Sequence, residues 1–252
     1  MMLDRCLGLL AMQDLLSLAG DYLDQVKLSF GTALLLDQDL LRRKVETIRS
    51  EGISVFPGGT LSELTLERGM FSQYVNWAQG FGFDALEISD GILEIPRSVR
   101  NDAIDRALDA GLEVLTEVGK KDPRLEASAS FLCDQIETDL ARGAQWVIIE
   151  ARESGRGVGI YGADGQMDEA KVTAILKQLG ENASRLIWEA PRSSQQVALI
   201  GKCGVNVNLG NIKPRDVLGL EALRCGLRYE TFLSASEACS ELVEEQLTHE
   251  AL

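Results

Sequence analysis

Four glutamates that close apolar runs, with lysines and arginines nearby, are the residues of this sequence whose types and spacing could do chemistry. Gly82-Phe83-Asp84-Ala85-Leu86-Glu87, Gly111-Leu112-Glu113-Val114-Leu115-Thr116-Glu117 and Gly143-Ala144-Gln145-Trp146-Val147-Ile148-Ile149-Glu150 share one pattern, and Leu186-Ile187-Trp188-Glu189 completes the series. If each run is a strand, the four carboxylates stand at equivalent strand ends. Crowded carboxylates in a partly dry cavity repel one another and are costly to bury unless cations or protons compensate them. Lys27, Lys120, Lys121, Arg152 and a divalent ion are the available counter-charges. Magnesium suits the set, because it takes oxygen ligands and needs no histidine. The single histidine is His249, in the polar segment Glu244 to Glu250. Read as a solvated tail residue, it leaves no histidine triad, histidine-bound zinc or histidine base, and chemistry falls to Lys, Arg, Asp, Glu, Tyr, Cys or a hard metal ion.

Alternation along a strand puts Glu87 on one face with Ser89, Glu150 with Arg152, Lys27 with Ser29, and Asn206 with Asn208. Three segments are candidates for holding an anion. Ser154-Gly155-Arg156-Gly157-Val158-Gly159 is glycine-rich enough for backbone N–H groups to approach a phosphate. Pro57-Gly58-Gly59-Thr60 has the same character, with a tight turn as its plainer reading. Asn208-Leu209-Gly210-Asn211 closes the last strand, where barrels often hold a phosphate, with Arg224 and Arg228 in reach. Glu63 and Glu67 read as ordinary helix-face charges.

The elements that must position these residues alternate strictly. Strands are expected at 2–4, 25–30, 53–56, 84–89, 113–118, 146–151, 185–189 and 205–209. Helices are expected at 12–19, 39–50, 70–81, 97–110, 128–141, 168–179, 193–203 and 214–225. Such alternation requires a parallel sheet with helical crossovers, and eight units in about 225 residues match a single-domain (β/α)8 TIM barrel. An open doubly wound sheet would show a glycine-rich fingerprint after its first strand, and Asp4-Arg5-Cys6-Leu7-Gly8 is none. The barrel is expected over 1–231, with an acidic rim helix and tail over 232–252. The carboxylates then belong at the C-terminal mouth.

The 252 residues carry a formal charge of −14 with a pI near 4.6, which disfavours nucleic acid and anionic membranes as partners. The five cysteines are far apart and unpaired in spacing, as expected of a reducing, cytoplasmic compartment. The apolar run from Cys6 to Met12 lacks a basic flank and a cleavage pattern.

Phe56-Pro57-Gly58-Gly59-Thr60-Leu61, Glu87-Ile88-Ser89-Asp90-Gly91, Leu115-Thr116-Glu117-Val118-Gly119-Lys120-Lys121, Val147 to Gly155, Glu189-Ala190-Pro191 and Val207-Asn208-Leu209-Gly210-Asn211-Ile212 together resemble the phosphosulfolactate synthase family, from about Met2 to Thr231. The resemblance implies a (β/α)8 barrel and a magnesium-dependent carbon–sulfur lyase that adds sulfite to phosphoenolpyruvate, giving (2R)-phospho-3-sulfolactate on the way to coenzyme M or sulfolactate. In that reading magnesium sits on Glu87, Glu117 and Glu150, with Glu189 beside them as a catalytic group. Lys27 or Lys120 protonates C2, while Arg152 and the glycine loop hold phosphate. The family carries more sequence before its first strand, so the expectation is either a misassigned start codon or a short first strand, with barrel closure suffering. Where the family reads Lys-Phe-Gly-Trp-Gly-Thr-Ser, this chain has Lys27-Leu28-Ser29-Phe30-Gly31-Thr32-Ala33, and a terminal Arg-Arg-Gly-Leu-Arg-Gly-Asp-Thr becomes Arg224 to Thr231. Plant heat-stress-associated proteins share the pattern, so a non-catalytic, chaperone-like homologue is the alternative of another class. A barrel enzyme acting on a different enolpyruvate is a third. Homo-oligomerisation is left open.

Overall fold

The computed structural model describes residues 1–125 and 127–232. Strands β1 (Met2–Asp4), β2 (Gln25–Leu28), β3 (Ser54–Pro57), β4 (Ala85–Ser89), β5 (Glu113–Val118), β6 (Trp146–Ile149), β7 (Leu186–Glu189) and β8 (Leu209–Gly210) alternate with helices α1 (Leu9–Ala19), α2 (Gln38–Ser50), α3 (Thr60–Glu67), α4 (Phe71–Phe81), α5 (Arg97–Asp109), α6 (Ala129–Arg142), α7 (Glu169–Leu179), α8 (Ser193–Cys203) and α9 (Val217–Arg224). Local chemistry sets the helix ends. Asp37 accepts from the N–H groups of Asp39 and Leu40, Ser128 from Phe131 N–H, and Asp168 from Lys171 N–H. Gly82 and Gly143, both left-handed, stop α4 and α6. No described helix is long and apolar enough to cross a membrane.

All the ladders are parallel, β1-β2-β3 and β4-β5-β6-β7-β8, and the chain is a single (β/α)8 barrel. Closure between the last and first strands is made by Leu3 N–H on Ile212 O (2.8 Å) and Ile212 N–H on Met1 O (3.3 Å). The short β1 is therefore sufficient to pair on both sides. Between β3 and β4 the ladder is replaced by Asp84, whose Oδ1 accepts from Val55 N–H (2.8 Å) and Ser54 Oγ (3.1 Å).

Inside the barrel Phe56, Ala85, Leu115, Ile148 and Ile187 form one buried apolar layer, with Met1 and Trp146 packed on it. Glu87, Glu117, Glu150 and Glu189 each follow one of the last four by two residues. Successive side chains on a strand take opposite faces, so the acids share the interior face and form the next layer toward the C-terminal mouth. A larger apolar core lies between the strands and the surrounding helices.

The elements depart from expectation in two places. The eighth strand was expected at 205–209, but Val207 N–H turns back onto Gly204 O (3.2 Å) and pairing begins only at Leu209. Asn208 consequently faces away from the mouth, its amide donating to Ser184 O (2.8 Å) and Leu186 O (3.1 Å). Helix α3, directly after Gly59, is additional to the eight expected helices and carries Glu63 and Glu67. The expected rim helix and tail, beyond Phe232, lie outside the described residues.

Candidate active site

Lys27, from β2, reaches the centre of the acidic layer. Its Nζ lies 2.8 Å from Glu87 Oε2, 3.0 Å from Glu117 Oε2 and 3.5 Å from Glu189 Oε1. Lys121, just past β5, bridges Glu117 Oε1 (3.2 Å) and Glu150 Oε2 (3.3 Å). These groups form the floor of a cavity of about 420 Å³ at the mouth, whose walls include Ser29, Phe30, Gly58, Gly59, Arg152, Ser154 and Asn211.

Burial alone would lower the Lys27 pKa, but Glu117, Glu87 and Glu189 outweigh it and hold the ammonium well above its ordinary range. Lys121 is raised in the same way by Glu117 and Glu150. Burial pushes Glu87 up to about 8, with Lys27 opposing and the Glu117 carboxylate adding to the rise. Burial, then Glu117 and Glu189, raise Glu150. Burial also raises Glu189, against Lys27. Glu117 goes the other way: burial opposes its charge, yet Lys121 and Lys27 hold it well below the usual range. Four carboxylates against two ammonium groups leave two negative charges uncompensated, which protons or one divalent cation must neutralise.

Among the described residues no three acids surround a point open to a metal ion. The Lys27 ammonium stands among Glu87, Glu117 and Glu189, and Lys121 lies between Glu117 and Glu150, so ammonium groups occupy the space between these carboxylates. Glu117 has both oxygens on lysines, Glu189 Oε2 accepts from Ala151 N–H (2.9 Å), and Glu150 Oε1 accepts from Arg152 N–H (2.5 Å). Glu87 Oε1 is buried and finds no donor. A Cβ at Gly59 would come within 2.5 Å of this oxygen, so glycine keeps the space beside it open. Hard oxygen donors, a two-charge deficit and one free carboxylate oxygen fit magnesium in its usual mode, on one or two carboxylates plus substrate oxygens.

Not every expected site residue lies here. Lys27, Glu87, Glu117, Glu150, Glu189, Arg152, Gly58, Gly59, Ser154 and Asn211 line the cavity. Lys120 does not: Gly119, at φ 112°, turns the chain so that Lys120 Nζ donates to Asp90 O (2.5 Å), Asp90 Oδ2 (3.0 Å) and Leu93 O (2.8 Å). The glycine loop packs on its own protein. Gly155 abuts Gln195, whose amide donates to Gly155 O (2.8 Å) and Gly165 O (3.1 Å); Gly157 N–H bonds Gly162 O (2.9 Å); Gly159 lies against the Glu150 carbonyl; and Arg156 is exposed. Gly210 packs on Met1 and Ile187 in the barrel interior. Arg224 donates to Val205 O and Val207 O at the opposite end of the barrel, and Arg228 to Ser193 Oγ (3.2 Å) and Glu230 (2.9 Å).

Sequence reasoning missed the supports beneath the site. Glu63 is buried, not a helix-face charge: it accepts from Ser89 Oγ (2.6 Å) and from Ile92 and Leu93 N–H (both 2.8 Å), fixing the loop after β4. Arg100 is buried between Asp139 (Nη2 to Oδ2, 2.6 Å), Asp90 (3.3 Å) and Glu117 O (3.1 Å). A signal existed, since Arg100 shares the helical stripe of Ala103, Ile104 and Ala107, and Asp139 that of Leu132, Cys133 and Ile136.

The fold and this floor define a (β/α)8 barrel enzyme with paired lysines among carboxylates at its C-terminal mouth. The profile of the (2R)-phospho-3-sulfolactate synthase (ComA) family matches residues 1–230, and the chain belongs to that family, whose enzymes are of the carbon–sulfur lyase type. It is 43% identical to the phosphosulfolactate synthase of Methanocaldococcus jannaschii, over 91% of this chain and 92% of that one. With the phosphosulfolactate synthase of Bacillus subtilis it shares 38% identity, over 87% and 86%. The Arabidopsis thaliana protein HEAT-STRESS-ASSOCIATED 32 is 24% identical over 89% and 85%. Among solved structures, a protein described as a fructose-1,6-biphosphate aldolase from Coccidioides immitis has the same fold, with TM-score 0.60, 16% identity and coverage of 97% of this chain and 88% of that one.

Proposed function

We propose that this cavity adds sulfite to phosphoenolpyruvate, giving (2R)-phospho-3-sulfolactate. The observation that carries the reading is the Lys27 and Lys121 pair, two ammonium groups fixed by carboxylates at the cavity floor. Sulfite sulfur uses its lone pair to form a bond to C3. The C2=C3 π electrons move to C2 and the adjoining carboxylate, and a proton then adds to C2 while the phosphate ester stays intact. Charge develops on the substrate carboxylate, where ammonium groups already in position cost no reorganisation.

Lys121 is the proton donor in this reading, in place of Lys120. It is the more open of the two cavity lysines, its side chain 28% exposed against 8% for Lys27. Although its pKa is raised, a carbanion beside a carboxylate is a far stronger base than any amine, so the transfer runs downhill. Lys27, enclosed by three acids, serves as a fixed charge, with Glu189 orienting it. Arg152 has an exposed guanidinium that makes a long hydrogen bond, 3.5 Å to Lys121 O, and with Ser154 it holds the phosphate. Glu87, through Oε1, would hold magnesium together with the substrate's oxygens, and the ion when bound supplies Lewis-acid charge at those oxygens.

Purified protein with phosphoenolpyruvate, sulfite and magnesium should form phosphosulfolactate, detected by phosphorus NMR and mass spectrometry. Absence of product under these conditions, with the protein folded, overturns the assignment.

A further inference from the structure

Three non-glycine residues have left-handed backbone among the described ones: Phe30 at φ 57°, Arg152 at φ 58° and Asn211 at φ 56°. They follow three different strands, β2, β6 and β8, yet all three line the cavity. Backbone in this region is unfavourable for residues with a Cβ and persists where surrounding structure enforces it, commonly at ligand sites.

Asn211 carries a second unfavourable feature. The residue is 4% exposed, and its Oδ1 has no hydrogen-bond partner. Buried amide atoms are normally paired, as the amide of Asn208 is to two carbonyls three residues earlier. Rotation of the amide by half a turn puts its NH2 where Oδ1 stands, so the unfilled position can donate as readily as accept. A neutral donor beside a floor of four carboxylates can meet an anion without adding a charge that those acids would capture.

We propose that Asn211 is a specificity-determining residue whose amide donates a hydrogen bond to an oxyanion oxygen of the bound ligand, from the phosphorylated substrate or from the inorganic co-substrate. This rests on the anion-binding function proposed above. Asparagine suits the position twice, because it tolerates left-handed backbone better than most residues and brings the amide.

Two substitutions separate backbone from amide. Asn211→Gly keeps the conformation and deletes the side chain; Asn211→Asp keeps the shape and makes the donor an anion. Binding of phosphoenolpyruvate, sulfite and inorganic phosphate is measured one at a time by calorimetry and thermal shift, alongside KM and kcat. The free Asn211→Gly protein should melt no lower than the wild type, while its Kd and KM for one anion rise about 10-fold, with kcat within about 3-fold, as for loss of a hydrogen bond to a charged group. Asn211→Asp should weaken the same anion about 100-fold. Loss with phosphoenolpyruvate and inorganic phosphate together identifies the phosphate as the partner, loss with phosphoenolpyruvate alone its carboxylate, and loss with sulfite alone the co-substrate. Wild-type affinity for all three anions in Asn211→Gly, or a melting temperature that falls along with affinity, overturns the proposal. If the wild type binds these anions but makes no phosphosulfolactate, the proposed function fails and the binding measurements alone decide the role of Asn211. If it binds none, both fail.

Discussion

Lys120 and Lys121 are consecutive in the chain, yet Lys121 Nζ lies on the cavity floor 3.2 Å from Glu117 Oε1, while Lys120 Nζ lies 2.8 Å from Leu93 O in the loop after β4. The two lysines should therefore fail in different ways. Lys121→Ala should lower kcat by about 10²- to 10⁴-fold, the range for a lost acid catalyst, in a protein of near-normal stability. Lys120→Ala should instead cost about 1–3 kcal/mol of stability in urea unfolding, because it frees polar groups of the Asp90–Leu93 loop, with kcat within about 10-fold. The reverse pattern would return the proton to Lys120.

Glu87 should couple metal binding to pH. Burial pushes its carboxyl up to about 8, with Lys27 opposing from β2, Glu117 adding to the rise from β5, and the Glu87 charge felt by Tyr74 of α4. Below that pH magnesium must displace a proton; above it the carboxylate is already free. Apparent magnesium affinity should thus rise about tenfold per unit as pH increases toward 8 and level off beyond it. Calorimetry in two buffers of different ionisation enthalpy reads the released proton directly. Glu87→Gln should weaken binding and flatten the profile.

The two adjacent glycines of β3's exit give a sharper pair. A methyl at Gly59 would stand 2.5 Å from Glu87 Oε1 and 2.7 Å from Ser89 Cβ, whereas one at Gly58 would meet backbone of Phe30 and Leu28 at 3.0–3.2 Å. Gly59→Ala should lower kcat/KM on the order of 100-fold by displacing the Glu87 carboxylate. Gly58→Ala should act mainly on stability, seen as a lower urea midpoint.

Beneath the site, Arg100→Ala would strand the fully buried Asp139 carboxylate. Loss of one partner of a buried ion pair costs about 3–5 kcal/mol, whereas replacing both by apolar residues is often neutral. Urea unfolding of Arg100→Ala should show the large loss, and the Arg100→Met, Asp139→Leu double variant should recover most of it. A double variant as unstable as the single would mean that the bonds to Asp90 and Glu117 O, not the pairing of Asp139, dominate.

Amino-acid order determined the barrel and its acidic layer, because a strand's two-residue period is rigid. Once Ala85, Leu115, Ile148 and Ile187 face inward, Glu87, Glu117, Glu150 and Glu189 must do so too. Beyond the strand ends that period stops, and single backbone angles decide direction. The left-handed Gly119 brings Lys121 to the floor and sends Lys120 away, and the turn at Gly204 points Asn208 to the opposite end. The glycine loop, whose composition suited a phosphate, uses its glycines to pack on Gln195 and the Glu150 carbonyl. Composition supplied the charges, but only the folded chain chose which ammonium neutralises which carboxylate, since those contacts join residues up to 162 positions apart.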